Sequence, residues 1–424
     1  MKISGWGRYP VIDAEPLSNN YQIWKNPFVA SGNFRSYGDA ALAQHYLPQH
    51  RQNHMLSFDE QNGLLTCEAG VLFSEIIEAF LPRGWFLPVT PGTKYITVGG
   101  AIASDVHGKN HHAQGCFSQY LKSFVLLLPN HQYFICSPTE NADLFHATCG
   151  GMGLTGIITQ ASFYLKPVSS QWISQTTIKT SNLAGTFEAF EAHQSAPYSV
   201  AWIDCLAQGE KLGRSLLMVG DFATDGDLAY QPPKTKLTIP FDFPTFTLNR
   251  WSVKAFNTLY YGKALQGVSQ QKPHIDSFFY PLDVISQWNR IYGKKGFVQF
   301  QFILPKTVSF DGLTTILQRL KNLESFLAVL KLYGKENKNW LSFPMEGYSL
   351  ALDFKANPTT VKLIQEVTNQ VVALGGRIYL AKDALLTKEQ FEQSYPNVDR
   401  FRKLRQELEL DLYFQSLLSK RLAL

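Results

Sequence analysis

The densest group of residues that could do chemistry lies between Thr90 and His112, in the run TPGTKYITVGGAIASDVHGKNHH. It holds four glycines, three histidines and two lysines. Glycine costs backbone entropy and buries no side chain, so such a run indicates a ligand that approaches the main chain closely. We interpret the segment as a backbone cradle for a large anionic ligand, and a long surface loop is the alternative.

A second candidate for anion binding is the loop from Phe28 to Asp39, FVASGNFRSYGD, which begins as a short apolar strand. Gly32 and Gly38 bracket Arg35 and two hydroxyl residues. Backbone N–H groups and one guanidinium are suited to a phosphate. A glycine-rich hairpin would have a similar composition, so the loop alone leaves both interpretations open.

The third glycine-rich loop contains a literal G-x-G-x-x-G at Gly151, Gly153 and Gly156. The dinucleotide fingerprint requires a strand before this motif and a helix after it. Here ADLFHAT predicts a preceding helix and IITQASFYLK a following strand, which is the inverse order. The sequence therefore predicts no Rossmann unit, but a loop of this kind can lie flat against a cofactor.

Polar side chains also alternate along strands in the second half of the chain. In GFVQFQFILP, Gln299 and Gln301 share one face of a predicted strand, and aromatic residues occupy the other. Two amides on an aromatic sheet fit a sugar-binding surface, although ordinary solvent-facing alternation gives the same pattern. Lys331 and Tyr333 share a face of the next strand, AVLKLYG.

The predicted elements divide the chain at about Trp172, where antiparallel strand patterns begin. Before it, a strand at 64–69 leads into a helix that Gly84 would end. After it, we predict a proline-bearing loop at 231–246, long enough for a mobile lid, and a helix at 313–324. The C-terminal part, 389–424, is predicted as helices with a charged, solvated face.

Composition excludes several classes of protein. The 424 residues carry a net charge of +5 without a block of like charges, so nucleic-acid binding is not indicated. The modest basic excess suits anionic lipid or phosphate. We find no apolar run of about 18 residues, no signal peptide and no metal-ligand spacing, and we expect a cytoplasmic protein. The five cysteines lack pair spacing, so we expect free thiols.

Taken together, these motifs resemble a known family. GNFRSYGD, PGTKYITVGGAIASDVHGKNHH, DLFHATCGGMGLTGII, QFQFILP, VLKLYG and RIYLAKD are similar to FAD-dependent oxidases of the vanillyl-alcohol oxidase and aldonolactone oxidase type. The resemblance implies an α+β, two-domain PCMH-type FAD-binding fold with an antiparallel-sheet substrate domain. The FAD domain would comprise 1–170 and a returning segment, 377–424, and 171–376 would bind the substrate.

Within that family the chain most resembles the branch that oxidises polyprenyl-phosphate sugars. This implies hydride transfer from the 2-hydroxyl of a pentose such as decaprenylphosphoryl-β-D-ribose to flavin N5, as the first half of an epimerisation. A separate short-chain dehydrogenase/reductase partner would reduce the ketone, and a lipid-linked substrate implies contact with the inner face of the cell membrane. The alternatives are an aldonolactone oxidase and a binding module that has lost catalysis.

The resemblance also assigns residues. The cofactor-binding positions would be Gly32, Asn33, Phe34, Arg35, Ser36, Tyr37, Gly38, Gly92, Thr93, Thr97, Val98, Gly99, Gly100, Ser104, His107, Gly108, Gly153, Ile158 and Tyr379. The substrate-binding positions would be Gln299, Gln301, Lys331, Ser349, Lys382 and Trp202. Lys382 would be the base or hydroxyl orienter, His107 would act beside the flavin, and Lys331 would bind phosphate.

Four positions depart from the family pattern. Members that tether FAD covalently often carry a histidine in the first loop, where this chain has Arg35, so we predict non-covalent FAD. Ser349 replaces a typical Asn and Phe279 a common Tyr, and both changes bear on fine substrate specificity. Ala351 stands where mycobacterial relatives hold a thiol, which hydride transfer does not need.

Overall fold

The structure is a computed structural model that describes residues 1–18, 23–232, 237–244, 246–265, 267–321, 323 and 325–424. Parts of two predicted elements lie outside these residues: 233–236 and 245 of the lid loop, and 322 and 324 of the helix predicted at 313–324. That helix is observed at Ser309–Leu320, so it begins four residues earlier than predicted.

The strands are β1 Lys2–Ser4, β2 Val11–Asp13, β3 Glu15–Pro16, β4 Val29–Ser31, β5 His45–Pro48, β6 Met55–Asp59, β7 Leu64–Glu68, β8 Trp85–Phe86, β9 Leu121–Leu127, β10 Tyr133–Cys136, β11 Ile157–Tyr164, β12 Lys166–Pro167, β13 Ile173–Thr180, β14 Tyr198–Ile203, β15 Ser215–Phe222, β16 Leu237–Thr238, β17 Val268–Gln271, β18 Ile285–Ser286, β19 Phe297–Pro305, β20 Ala328–Tyr333, β21 Gly347–Lys355 and β22 Arg377–Ile378. The α-helices are α1 Phe73–Phe80, α2 Val98–Ala103, α3 His111–Gln114, α4 Ala142–Thr148, α5 Leu183–Ala192, α6 Arg250–Gly262, α7 Ile275–Phe279, α8 Ser309–Leu320, α9 Pro358–Ala373, α10 Lys388–Ser394, α11 Val398–Glu407, α12 Leu410–Tyr413 and α13 Leu417–Leu422. Short 3₁₀ helices span Ile23–Lys25, Leu81–Arg83, Phe117–Tyr120, Gly209–Lys211, Trp288–Tyr292, Lys306–Val308 and Leu380–Lys382.

The first part of the chain is built on a five-stranded sheet in the order β10-β9-β11-β7-β6. Helix α1 packs on it through Ile76, Ile77 and Phe80, which are buried. The turn after α1 ends at Gly84, whose φ of 80° is costly for a residue with a Cβ atom. A smaller parallel sheet, β3-β5-β4, leads into the loop that begins at Gly32.

The middle of the chain forms an eight-stranded sheet in the order β17-β13-β15-β14-β20-β21-β19-β22. Every pair of neighbouring strands in this sheet is antiparallel. Strands β19 and β21 pair along nine residues. Helices α8 and α9 bury leucine, isoleucine and valine side chains in the same core. The fold is therefore α+β with a large antiparallel sheet, as predicted.

The C-terminal helices contact the N-terminal part of the chain. Arg421 forms an ion pair with Asp39 at 2.8 Å, and the Arg405 guanidinium donates to the Leu154 carbonyl at 3.0 Å. Phe28 forms a bridge with Phe414. Strand β22 instead adds to the edge of the eight-stranded sheet beside β19.

Two further predictions are confirmed. Around Gly151 and Gly153, helix α4 precedes the loop and strand β11 follows it, so the motif is not the turn of a Rossmann unit. All five cysteines are free and buried. Among the described residues, we find no helix with the length and apolarity to cross a membrane.

Candidate active site

A cavity of about 790 Å³ lies between the glycine-rich loops and one face of the eight-stranded sheet. This volume falls within the range of about 300–1,000 Å³ that is common for cofactor and ligand pockets. The predicted residues that line it are Gly32, Asn33, Phe34, Arg35, Ser36, Tyr37, Gly92, Thr93, Thr97, Gly99, Gly100, Ser104, His107, Gly153, Ile158, Trp202, Gln299, Gln301, Lys331, Ser349, Tyr379 and Lys382.

Three predicted cofactor residues do not line the cavity, for reasons of packing. A Cβ atom on Gly38 would lie 1.7 Å from the Asp383 carbonyl oxygen. A Cβ atom on Gly108 would lie 2.8 Å from the Thr90 carbonyl oxygen. Both glycines are therefore required by close backbone approach, and Val98 is fully buried in the hydrophobic core that also contains Ile76, Ile77 and Phe80 of α1.

The loop at 32–36 presents unused hydrogen-bond donors to the cavity. Its five backbone N–H groups have no acceptor among the described residues, and neither do Nε of Arg35 and Oγ of Ser36, which are buried. Phe34 has a φ of 49°, and an αL residue in a loop is typical of an anion-binding nest. The Arg35 guanidinium stacks 4.2 Å from the Trp6 ring centroid, which holds it in place.

The second glycine segment, 90–112, uses part of its main chain within the fold. Thr97 caps helix α2 by accepting from the Gly100 N–H at 3.1 Å. The N–H groups of Val98 and Gly99 donate to the Val71 and Ala69 carbonyls, so they are not available to a ligand. At Gly92 an added Cβ atom would meet nothing within 4 Å, so this backbone borders open space.

The opposite wall is a single sheet face whose strand register sets the order of the side chains. Trp202 on β14 is the partner of Val329 on β20, which pairs with Ala351 on β21, which pairs with Gln301 on β19. In the neighbouring row, Lys331 pairs with Ser349. Gln299 and Gln301 are 7% and 5% exposed, so solvent-facing alternation is excluded for this strand.

His107 lines the cavity in an environment of aromatic rings and an amide. Its Nε2 is 3.3 Å from Nε2 of Gln301, and its Nδ1 has no described partner. The ring lies 4.8 Å from that of Tyr379, whose hydroxyl donates to the Ser104 carbonyl at 3.1 Å. Burial, with a contribution from Lys331, lowers the pKa of His107 well below its ordinary value, so the imidazole is neutral at pH 7.

Lys382 occupies the 3₁₀ turn after β22, and its Nζ lies 3.6 Å from the centroid of the Tyr37 ring. Burial lowers its pKa to about 7, and the buried carboxyl of Asp353 opposes that shift. Burial also raises the pKa of Asp353 to about 7. Asp353 accepts from the Gln299 amide at 2.5 Å and from the Tyr292 hydroxyl at 3.5 Å, so it is fixed beside the lysine.

Two more lysines give the cavity wall positive charge. Burial lowers the pKa of Lys331 to about 8. Burial, followed by the charge of Lys331, lowers the pKa of Lys109 to about 7, and Lys109 donates to the Phe278 carbonyl. Burial and mutual repulsion both disfavour the charged forms of Lys109, Lys331 and Lys382 in one cavity. A bound anion would raise their pKa values and favour the charged forms again.

Comparison with known proteins identifies the family. A model of the FAD-binding domain matches residues 25–137. Decaprenylphosphoryl-beta-D-ribose oxidase of Mycolicibacterium smegmatis is 34% identical over 451 aligned residues, which cover 100% of this chain and 97% of that protein. The chain belongs to this family. It is therefore an FAD-dependent oxidoreductase.

Other relatives match only parts of the chain. D-lactate dehydrogenase of Anaerostipes hadrus is 25% identical over 36% of this chain and 34% of that protein. A putative D-arabinono-1,4-lactone oxidase of Neurospora crassa is 29% identical over 29% of this chain and 22% of that protein. These shorter matches are consistent with a shared FAD-binding domain.

The residues present fit FAD, a long ligand with a diphosphate near its middle. The free N–H groups at 32–36 and the unpaired Nε of Arg35 suit the diphosphate. Gln49 also lines the cavity, and both polar atoms of its side-chain amide are buried without a described partner. An amide in this state matches the paired donor and acceptor of an adenine edge.

Sequence reasoning missed three of these residues. Gln49 follows a short strand without any motif, and Lys109 lies in the glycine segment, where its sequence context does not distinguish it from a surface lysine. Asp353 could have been found, because strand alternation places it on the face of Ser349 and Ala351. An aspartate in a strand normally indicates a solvent-facing position, which conceals a buried partner of Lys382.

Proposed function

We propose that this protein oxidises the 2-hydroxyl of a polyprenyl-phosphate pentose, as the first half of an epimerisation. The observation that carries the proposal is the order of side chains along one sheet face. Amides at Gln299 and Gln301 are followed by Lys331, and then by the apolar surface of Trp202 and Met218. A sugar, a phosphate and a lipid chain need these three environments in this order.

The lysines distinguish this substrate from an aldonolactone. A lactone carries no phosphate, so the half-buried Lys109 and Lys331 would have no anion to favour their charged forms. A lactone also has no chain to cover the apolar lining formed by Val200, Trp202, Met218, Phe256, Tyr260 and Phe326. Both features support a lipid-linked sugar phosphate over the lactone.

Lys382 is the proposed acceptor of the hydroxyl proton. Its lowered pKa makes a neutral amine available near pH 7, where a general base is most effective. The amides of Gln299 and Gln301 would orient the sugar, and neutral His107 would present a hydrogen bond without adding a charge. FAD, when bound, supplies the hydride acceptor at N5.

The cofactor would be held without a covalent bond. The loop at 32–36 would bind the diphosphate, Gly92 and Thr93 would lie along the flavin and its ribityl chain, and Gly153 and Ile158 would border the adenine half. Thr97, Ser104 and Tyr379 would complete this wall. Arg35, at the position where covalently tethered relatives often have histidine, cannot act as such a tether.

Anaerobic reduction tests the substrate class. Mixed with a polyprenyl-phosphate ribose, the holoprotein is expected to lose its visible flavin absorbance, while gulono- and galactonolactone leave it unchanged. Glucose oxidase reduced by its own sugar serves as the control for anaerobic conditions. Bleaching by a lactone and not by the lipid-linked pentose would replace the proposal by the aldonolactone oxidase.

Asp353 is expected to set the pH at which Lys382 becomes a base. In the Asp353→Asn variant the Gln299 contact can persist, but the charge that raises the pKa of Lys382 is removed. The acid limb of the profile of kcat/KM against pH should therefore move to lower pH. Asp13→Asn, at an exposed position on β2, is the matched control. An acid limb that stays in place would show that Asp353 does not act through Lys382.

A further inference from the structure

Helix α6 presents an apolar face that the fold does not use. Its inner face is anchored by buried Val253 and by Asn257, which donates to Asp204 at 2.7 Å. On the outer face, Trp251 is 79% exposed and Leu259 is 74% exposed. Leu265, just beyond the helix, is 93% exposed.

Basic side chains border this face. Arg250, Lys254 and Lys263 are exposed, and no acidic residue occurs between positions 250 and 265. Within the described part of the chain, no hydrogen bond or ion pair engages the ammonium groups of Lys254 and Lys263. A bulky apolar face with a basic border is the pattern of helices that lie in the interface of an anionic membrane.

The same helix forms one end of the cavity. The Tyr260 ring lies 4.9 Å from Trp202, and the Phe256 ring lies 4.9 Å from Phe326. Phe256, Tyr260 and Lys263 line the cavity, and Phe256 and Lys263 are also exposed at the surface. The apolar end of the cavity therefore reaches the surface beside the outer face of α6.

We propose that the outer face of α6, formed by Trp251, Ala255 and Leu259 with Leu265, docks on an anionic membrane surface so that a lipid tail enters the cavity directly from the bilayer. The helix has 13 residues, or about 20 Å, and lies along the interface because it is too short to span about 30 Å of hydrocarbon. The passage of substrate rests on the proposed function, whereas docking itself does not.

Vesicle co-sedimentation of the holoprotein tests the docking. The protein should sediment with vesicles of phosphatidylglycerol and phosphatidylcholine and much less with phosphatidylcholine alone. The double variant Trp251→Ser, Leu259→Ser should bind at least ten-fold more weakly, and Arg250→Gln, Lys254→Gln should lose the preference for anionic lipid. Tyr133→Ser, Ile135→Ser removes a similar exposed pair from β10 and should bind as the unchanged protein does.

Activity separates docking from the proposed chemistry. The double variant Trp251→Ser, Leu259→Ser should oxidise a short-chain, water-soluble prenyl-phosphate ribose normally but lose activity on a long-chain substrate in vesicles. Absent vesicle binding would overturn the docking proposal even if the soluble substrate is oxidised, and vesicle binding without any oxidation would overturn the function instead. The protein could also self-associate in the absence of lipid, and the double variant could abolish that association. This result would assign the outer face of α6 to a second copy of the chain and would also overturn the docking proposal.

Discussion

Replacing Lys382 by Ala is expected to lower the rate of flavin reduction by about 10²–10⁴-fold, the usual contribution of a general base. The side chain lies against the Tyr37 ring, and the free N–H groups of the loop at 32–36 belong to other residues, so these donors are still present in the variant. FAD should therefore remain bound. Anaerobic stopped-flow measurement of flavin absorbance, with the lipid-linked pentose as donor, gives the rate.

Two comparisons make this result specific. Lys388→Ala removes an exposed lysine six residues further along and should reduce flavin at the unchanged rate. The Lys382→Ala variant should retain its full content of FAD, which the flavin-to-protein absorbance ratio measures. Flavin reduction within two- or three-fold of the unchanged protein would remove Lys382 from the chemistry.

Replacing Arg35 by Ala is expected to weaken FAD binding by about ten- to 100-fold. A hydrogen bond to a charged group contributes about 1.5–3 kcal/mol, and each 1.4 kcal/mol corresponds to a factor of ten in affinity. The half-buried guanidinium lies 4.2 Å from the Trp6 ring centroid and 5.4 Å from that of Tyr95, and its buried Nε has no described acceptor, so this donor is free for the diphosphate. Titration of the apoprotein with FAD, followed by flavin fluorescence, measures the dissociation constant.

The matched controls separate charge from geometry. Arg35→Lys keeps the cation but loses the planar Nε–H. Its affinity for FAD should therefore lie between those of the unchanged protein and of Arg35→Ala. Arg51→Ala removes an exposed arginine after β5 and should leave affinity unchanged. Flavin that stays with the acid-precipitated protein would contradict the non-covalent site on which this titration depends.

Many residues of the cavity could be predicted because local sequence patterns indicate where they lie. Strand alternation placed Gln299 and Gln301 on one face, and the inverted helix–strand order around Gly153 excluded a Rossmann turn. The reason for a glycine was harder to predict, because Gly38 and Gly108 look like ligand-binding glycines in sequence. In the structure they are required by the close approach of the Asp383 and Thr90 carbonyl groups.

Contacts between distant parts of the chain could not be predicted in the same way. The partnership of Asp353 with Lys382 depends on how β21 and the turn after β22 meet, which no local pattern records. The helix predicted at 313–324 begins at Ser309 instead, directly after the 3₁₀ turn at Lys306–Val308, and the Ser309 hydroxyl ties this start to β19 by donating to the Leu304 carbonyl at 2.9 Å. The exposure of Trp251 and Leu259 on α6 also depends on which side of the helix packs against the sheet, which the sequence of the helix does not record.

The central claim is that hydride leaves carbon 2 of a lipid-linked pentose. The most direct test repeats the anaerobic reduction with deuterium at carbon 2 and analyses the oxidised sugar by mass spectrometry. We expect the flavin to bleach and the product to carry a ketone at carbon 2 without deuterium. Bleaching with the deuterium retained in the oxidised sugar would contradict the account.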